Sequence, residues 1–173
     1  MDDRHLQRVL GVAAALGGTL RIAAIIVPAV PQSAALEAFY VAIDLLLLFG
    51  LMGVYWAYRG QVGGFGFATF VIAEAGIASI VGPEGVTSFG IDFYWVGVVV
   101  ITLGLTLFAI QLLACRAGPP WAPLSWIAST VVGVAAAMSG NPEPGFIAGG
   151  ALFGMGFVLA GVALVRGATP SGS

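Results

Sequence analysis

The sequence predicts an all-α integral membrane protein whose six transmembrane helices form an antiparallel bundle. Hydrophobic residues make up 60% of the 173 residues, charged residues only 8%, and the mean hydropathy is +1.05. Soluble domains carry roughly 25% charged residues, so this composition excludes an ordinary soluble fold. A helix needs about 20 mostly apolar residues to span a bilayer. Runs of about that length lie at residues 9–30, 35–58, 65–82, 93–115, 123–140 and 145–166.

These runs account for almost the whole chain. We therefore expect residues 1–173 to form a single transmembrane domain, with residues 167–173 as a disordered tail. The first run resembles a signal peptide, because Arg4 and Arg8 precede it, but its apolar character resumes beyond Arg21. We interpret it as a retained first span.

The positions of the arginines predict the topology. With six spans, every arginine that precedes, ends or follows an apolar run falls on the same side of the membrane, and positive residues favour the cytoplasmic side. This predicts a multi-pass plasma-membrane protein with cytoplasmic N- and C-termini. Trp121 and Trp126 fall near the same side, where we assign them to an interfacial aromatic belt. The arginines concerned are Arg4, Arg8, Arg59, Arg116 and Arg166.

A weak internal repeat suggests that the bundle consists of three tandem two-helix hairpins. Phe39 and Phe93 begin two of the even-numbered spans, and Phe146 begins the third. The same spans also end alike, each with an arginine that is followed by glycine after at most one further residue. Any membrane hairpin with an inner arginine would share part of this pattern.

The sixth span carries small residues at four-residue spacing, at Gly145, Gly149, Gly150 and Gly154. Such spacing lets membrane helices approach closely. We expect these glycines to pack inside the bundle. The alternative is that they mediate association with a second copy or with another membrane protein.

Three charged residues interrupt the first three apolar runs, and they provide the candidate site. Counted from the predicted outer ends of their spans, Arg21, Asp44 and Glu74 all lie roughly 12–14 Å deep. A charged side chain that faces lipid there costs about 2.5–3.5 kcal/mol or more. We therefore expect the three to face one another, with Arg21 paired to Asp44 and Glu74 completing a triad. Because one base meets two acids, we expect Glu74 to carry a proton.

The residues around Asp44 predict an outward-facing cup. Glu37, Tyr40 and Asp44 share one helical face, which becomes apolar one turn further in, at Leu48. The predicted ligand-binding residues are therefore Arg21, Asp44, Glu74, Tyr40 and Glu37.

Three functions fit this pattern. The first is small-solute or proton-coupled binding and transport at the charged site. The second is a structural or accessory subunit of a larger membrane complex, in which the triad only holds helices together. The third and weakest is a lipid- or isoprenoid-modifying enzyme that uses Glu74 as an acid and Asp44 to hold the polar end of the substrate. Carboxylates alone are a generic signal for catalysis, so a non-enzymatic role is favoured.

The sequence lacks the residues that metal, haem, cofactor or nucleic-acid sites need. The single histidine and single cysteine, His5 and Cys115, predict no metal site and no haem, and no cofactor fingerprint occurs. The chain has no lysine and a net charge of −2, which excludes a basic surface for nucleic acid. The predicted partner is therefore the lipid bilayer itself.

Overall fold

The structure, a computed structural model, describes residues 3–26, 33–81, 87–88, 91–139 and 143–167. These residues contain five α-helices, all long and apolar enough to cross a membrane. The chain therefore has the all-helical architecture of a membrane protein. The helices are α1 (Asp3–Ile26), α2 (Ala34–Ile80), α3 (Phe93–Ala114), α4 (Trp121–Met138) and α5 (Glu143–Val165); strands β1 (Thr87–Ser88) and β2 (Ile91–Asp92) pair antiparallel between α2 and α3.

The second helix covers two of the predicted spans and folds back on itself at Gly63. It has 47 residues, which in a straight helix would extend about 70 Å, more than twice the roughly 30 Å hydrocarbon core. At Gly63 the backbone has φ 61° and ψ −165°, a conformation essentially restricted to glycine. The rings of Tyr55 and Phe70 then stack with their centroids 4.4 Å apart, whereas 15 residues of straight helix would separate them by about 22 Å. The two halves of α2 are therefore antiparallel.

We name the two ends of the bundle after residues at the two ends of the first half of α2. The Ser33 end is where α2 begins, and there the Ser33 side chain accepts a hydrogen bond from the Leu36 N–H at 3.3 Å. The Gly63 end is the opposite one. The predicted break between the runs 35–58 and 65–82 was too long, because helical backbone continues on both sides of Gly63.

The other predicted boundaries need smaller corrections. The first helix begins at Asp3 instead of residue 9, because its charged first turn is helical although it is not apolar. The connection after α2 contains the β1–β2 pair, which hydropathy alone does not predict. Gly167 lies in a turn, while the rest of the predicted tail lies outside the described residues.

Close approaches at glycines hold neighbouring helices together. In the α1–α2 pair, a Cβ atom on Gly50 would lie only 2.6 Å from the Ala14 Cα. The second half of α2 and α3 also pack closely. A Cβ atom on Gly104 would contact the backbone of Ala73. Contacts of this kind also join α4 to α5 and α1 to α5, so the first and last helices close the bundle.

The four glycines of the last span take part in this packing inside the chain. Gly145 contacts Ala136 of α4, and Gly149 lies against the Ser129 and Gly133 backbone. On the other side of α5, Gly150 contacts Ile25 and Gly154 contacts Gly18, both on α1. The small-residue spacing therefore serves packing between α5 and its two neighbours in the same chain.

Candidate functional site

A cavity of about 650 Å³ lies inside the half of the bundle nearest the Ser33 end. All five helices contribute to its wall, and its volume falls within the range of small-molecule sites, roughly 300–1,000 Å³. Most of the wall is aliphatic or aromatic. The charged residues that line it are Arg21 of α1 and Asp44 of α2.

Helix register explains why Arg21 and Asp44 meet at this cavity. Along the α1–α2 interface, Leu10 contacts Gly53, Ala14 contacts Gly50 and Gly17 contacts Leu47. Continuing this antiparallel register by about one turn sets Arg21 beside Asp44. Asp44 is buried, with 8% of its surface exposed, and Arg21 is half-buried. The first two helices therefore bring two of the predicted site residues to one wall.

Glu74 lies apart from this pair. Both of its carboxylate oxygens are buried and have no hydrogen-bond partner in the described part of the chain, and Glu74 is not among the residues that line the cavity. From the stacked Tyr55–Phe70 pair, Asp44 lies about 16 Å towards the Ser33 end and Glu74 only about 6 Å. The structure does not bring Glu74 into the layer of Arg21 and Asp44.

The physical reason is that the two halves of α2 differ in length. The depth estimate from sequence measured Asp44 and Glu74 from the outer ends of two spans and treated those ends as level. The fold-back at Gly63 instead leaves a first half of about 29 residues and a second half of about 17. Counted from Gly63, Glu74 is therefore much closer to the turn than Asp44.

The other two predicted residues lie beyond the cavity on the same helix. Glu37, in the first turn of α2, is exposed. Tyr40 is half-buried and packs edge-to-face on the ring of Phe39, with centroids 5.9 Å apart. Both lie between Asp44 and the Ser33 end of α2, and neither lines the cavity.

Three hydroxyl groups on the cavity wall form hydrogen bonds within the protein. Thr102 donates to the Val98 carbonyl at 2.7 Å, and Ser129 donates to the Gly149 carbonyl at 2.7 Å. Thr130 shares a 2.7 Å hydrogen bond with Thr106. This is the backbone and interhelical bonding usual for hydroxyls in apolar helices. Arg21 and Asp44 are the charged residues among those that line the cavity.

Trp126 is a cavity residue that the sequence did not identify. Only 1% of its surface is exposed, so its assignment to an interfacial belt was wrong. Its ring packs on Phe157, with centroids 5.2 Å apart, and against the bare Cα of Gly156. Its indole N–H has no hydrogen-bond partner in the described residues. No short-range pattern distinguishes a buried tryptophan from an interfacial one, because the difference depends on how α4 is rotated.

Trp126 also separates the main cavity from a second one. The second cavity, of about 210 Å³, lies towards the Gly63 end and is lined by Tyr58, Trp121 and Arg166 among others. Among the described residues, Trp126 is the one that lines both cavities. One indole therefore forms part of the partition between them.

In the part of the chain that the structure describes, no group of three histidine, cysteine, aspartate or glutamate residues could hold a metal ion. The Cys115 thiol is free and accepts a 3.3 Å hydrogen bond from the Gln111 side chain. No known protein family, curated protein or solved structure matches the chain.

Proposed function

We propose that this membrane protein binds a small solute in the main cavity, at Arg21 and Asp44, and moves it across the plasma membrane. The observation that carries the proposal is the presence of a base and an acid on the wall of one otherwise apolar cavity. Ionisable residues inside a membrane are costly and generally mark a binding site or a transport pathway. A purely structural ion pair would not need a cavity beside it.

The proposed topology has six spans and cytoplasmic termini, with each half of α2 crossing once. It is supported by the fold-back at Gly63 and by the arginines, because Arg59 precedes Gly63 by one turn and Arg166 follows α5 at the same end of the bundle. Both side chains are exposed there. In this topology the Ser33 end faces outward, and the three hairpins are α1 with the first half of α2, the second half with α3, and α4 with α5.

The two charged groups determine which solutes fit. The planar guanidinium of Arg21 binds a carboxylate or a phosphate through two parallel hydrogen bonds. The carboxylate of Asp44 accepts hydrogen bonds from a hydroxyl or an amine. Because the remaining wall is apolar, the proposed solute has a polar end at this pair and an apolar body in the rest of the cavity.

Glu37, Tyr40 and Glu74 have separate roles in the proposal. Glu37 and Tyr40 line the approach from the outer face to Asp44. Glu74, about 10 Å deeper than Asp44 by helix rise, binds and releases the proton that would couple transport to a proton gradient. Its buried oxygens lack a hydrogen-bond partner in the described residues, so the charged form has nothing there to compensate for lost hydration.

A thermal-shift screen tests solute binding. The purified protein is heated with small carboxylates, phosphates, amino acids and amines, and the same panel is applied to Arg21→Gln. A ligand at 100 times its Kd stabilises the folded state by about 2.7 kcal/mol, which corresponds to a rise in Tm of about 5–10 °C for a chain of this size. We expect such a rise in the parent protein and in Arg166→Gln, whose substitution lies at the second cavity, but not in Arg21→Gln.

Hits from the screen are then assayed for uptake into proteoliposomes. We expect a proton gradient to accelerate uptake by the parent and not by Glu74→Gln. A panel in which no compound stabilises the parent more than Arg21→Gln would refute the proposed binding site.

A further inference from the structure

The wall of the main cavity on the side of α3 and α4 contains residues that are also exposed at the surface of the protein. A hydrogen bond between Thr106 and Thr130 joins these helices near their middle. From there towards the Ser33 end, both helices contribute exposed aliphatic residues to the cavity wall, α3 with Val99 and Leu103 and α4 with Val134 among others. We interpret this stretch of about two turns as the gap between the two helices.

The residues along this gap face both the cavity and the surroundings of the protein. Val99 is 54% exposed, Leu103 58% and Val134 52%, although all three line the cavity. The Trp95 and Phe146 rings, 6.4 Å apart, border the cavity at the Ser33 end. In a bilayer, the medium outside α3 and α4 at this depth is hydrocarbon, so the gap opens sideways to lipid chains.

The shape and charge of the cavity together identify one class of ligand. We infer that the cavity holds a single-chain amphiphile from the bilayer, with its carboxylate or phosphate head on Arg21 and Asp44 beside it, and its hydrocarbon chain passing between α3 and α4. Arg21 provides the cationic fork for the head. The aliphatic side chains of the gap surround the chain, which reaches the cavity without crossing water. The inference rests on the proposed solute site and specifies both its ligand and its route of entry.

The experiment uses a fatty acid with a diazirine near the end of its chain, added in trace amount to protein in phosphatidylcholine nanodiscs. On illumination the diazirine loses dinitrogen, and the resulting carbene inserts into a nearby C–H bond. Peptide mass spectrometry then locates the adducts. We expect adducts concentrated on the peptides of α3 and α4 that border the gap.

Three variants make the result specific. Arg21→Gln removes a charge-assisted hydrogen bond to the head and should lower labelling of the gap about tenfold or more. Val134→Trp fills the gap without changing the charged pair and should also lower it. Val131→Trp, three residues away on the same helix, is the matched control. Val131 is 62% exposed and does not line the cavity, so labelling should match the parent.

The outcomes separate a lipid from a water-soluble solute. Equal labelling of the parent and Arg21→Gln would show ordinary annular lipid and overturn the inference. The same holds if Val131→Trp lowers labelling as much as Val134→Trp does. Butyrate provides the second comparison. If butyrate raises the Tm of the parent and not of Arg21→Gln while the fatty acid leaves the gap unlabelled, the solute site stands and lateral lipid entry is wrong. If neither probe responds to Arg21→Gln, the solute site fails as well.

Discussion

Arg21 and Asp44 lie on one cavity wall because of their neighbours on α1 and α2. Glycine and alanine contacts between these helices fix their register, and the register sets a guanidinium and a carboxylate on one cavity wall. Each charge alone would be expensive at this depth. In the proposed site they would present both a cation and an anion to a ligand at one end of an apolar space.

Unlike Arg21 and Asp44, Glu74 does not line the cavity. Its substitution tests whether Glu74 belongs to a buried ion triad. Removing one partner of a buried ion pair costs about 3–5 kcal/mol. The carboxylate oxygens of Glu74 have no hydrogen-bond partner in the described residues, so we expect Glu74→Gln to change the free energy of unfolding by less than about 1 kcal/mol. Thermal unfolding in detergent measures this change, with Glu143→Gln in the exposed first turn of α5 as the control. A loss of several kcal/mol for Glu74→Gln alone would instead support the closed triad.

At the scale of elements, the turn inside α2 depends on one glycine. Gly63 has positive φ, whereas its neighbour Gly64 continues a helix, and a Cβ atom at either position would meet nothing within 4 Å. We therefore expect Gly63→Ala to cost about 1–3 kcal/mol from backbone strain alone. Gly64→Ala should be neutral or stabilise the protein by up to about 1 kcal/mol. Equal unfolding midpoints for the two variants would contradict the strained turn.

The contact between α1 and α5 gives a second prediction at this scale. A Cβ atom on Gly18 would lie 2.8 Å from the Val158 nitrogen and even closer to the Gly154 carbonyl oxygen. Gly18→Ala should force the helices apart and destabilise the protein by about 1–3 kcal/mol. Gly60→Ala, where the added methyl group meets nothing within 4 Å, serves as the comparison. Similar unfolding curves for both variants would show that α1 and α5 are not closely packed.

The sequence predicted the apolar elements well because hydropathy depends on composition within each segment. It predicted Arg21 and Asp44 on adjacent antiparallel helices because the connection between the first two spans is short, and both residues line the main cavity. It misplaced Glu74, since depth in the second half of α2 depends on where the fold-back occurs. It also missed the burial of Trp126. That burial depends on the rotation of α4 against Gly156 of α5, which is a contact between distant segments.

For the whole molecule, the proposed topology predicts which side of the membrane each end faces. The only native cysteine is Cys115, so a Cys115→Ser background allows single labels. A membrane-impermeant maleimide should label Glu37→Cys in intact cells, and Gly60→Cys and Arg166→Cys only after the membrane is opened. All three native positions are exposed at the surface of the protein. Labelling of Arg166→Cys in intact cells would reverse the orientation.

Trp126 has a consequence for the path between the two faces of the bundle. Because it lines both the main cavity and the smaller one near Arg166, a molecule held at Arg21 and Asp44 meets an indole ring on the way to the opposite face. Trp126 therefore lies between the two cavities. The Trp126 side chain has two torsion angles. Its N–H lacks a hydrogen-bond partner in the described residues. Rotation of that one side chain would therefore change the separation between the main cavity and the smaller one.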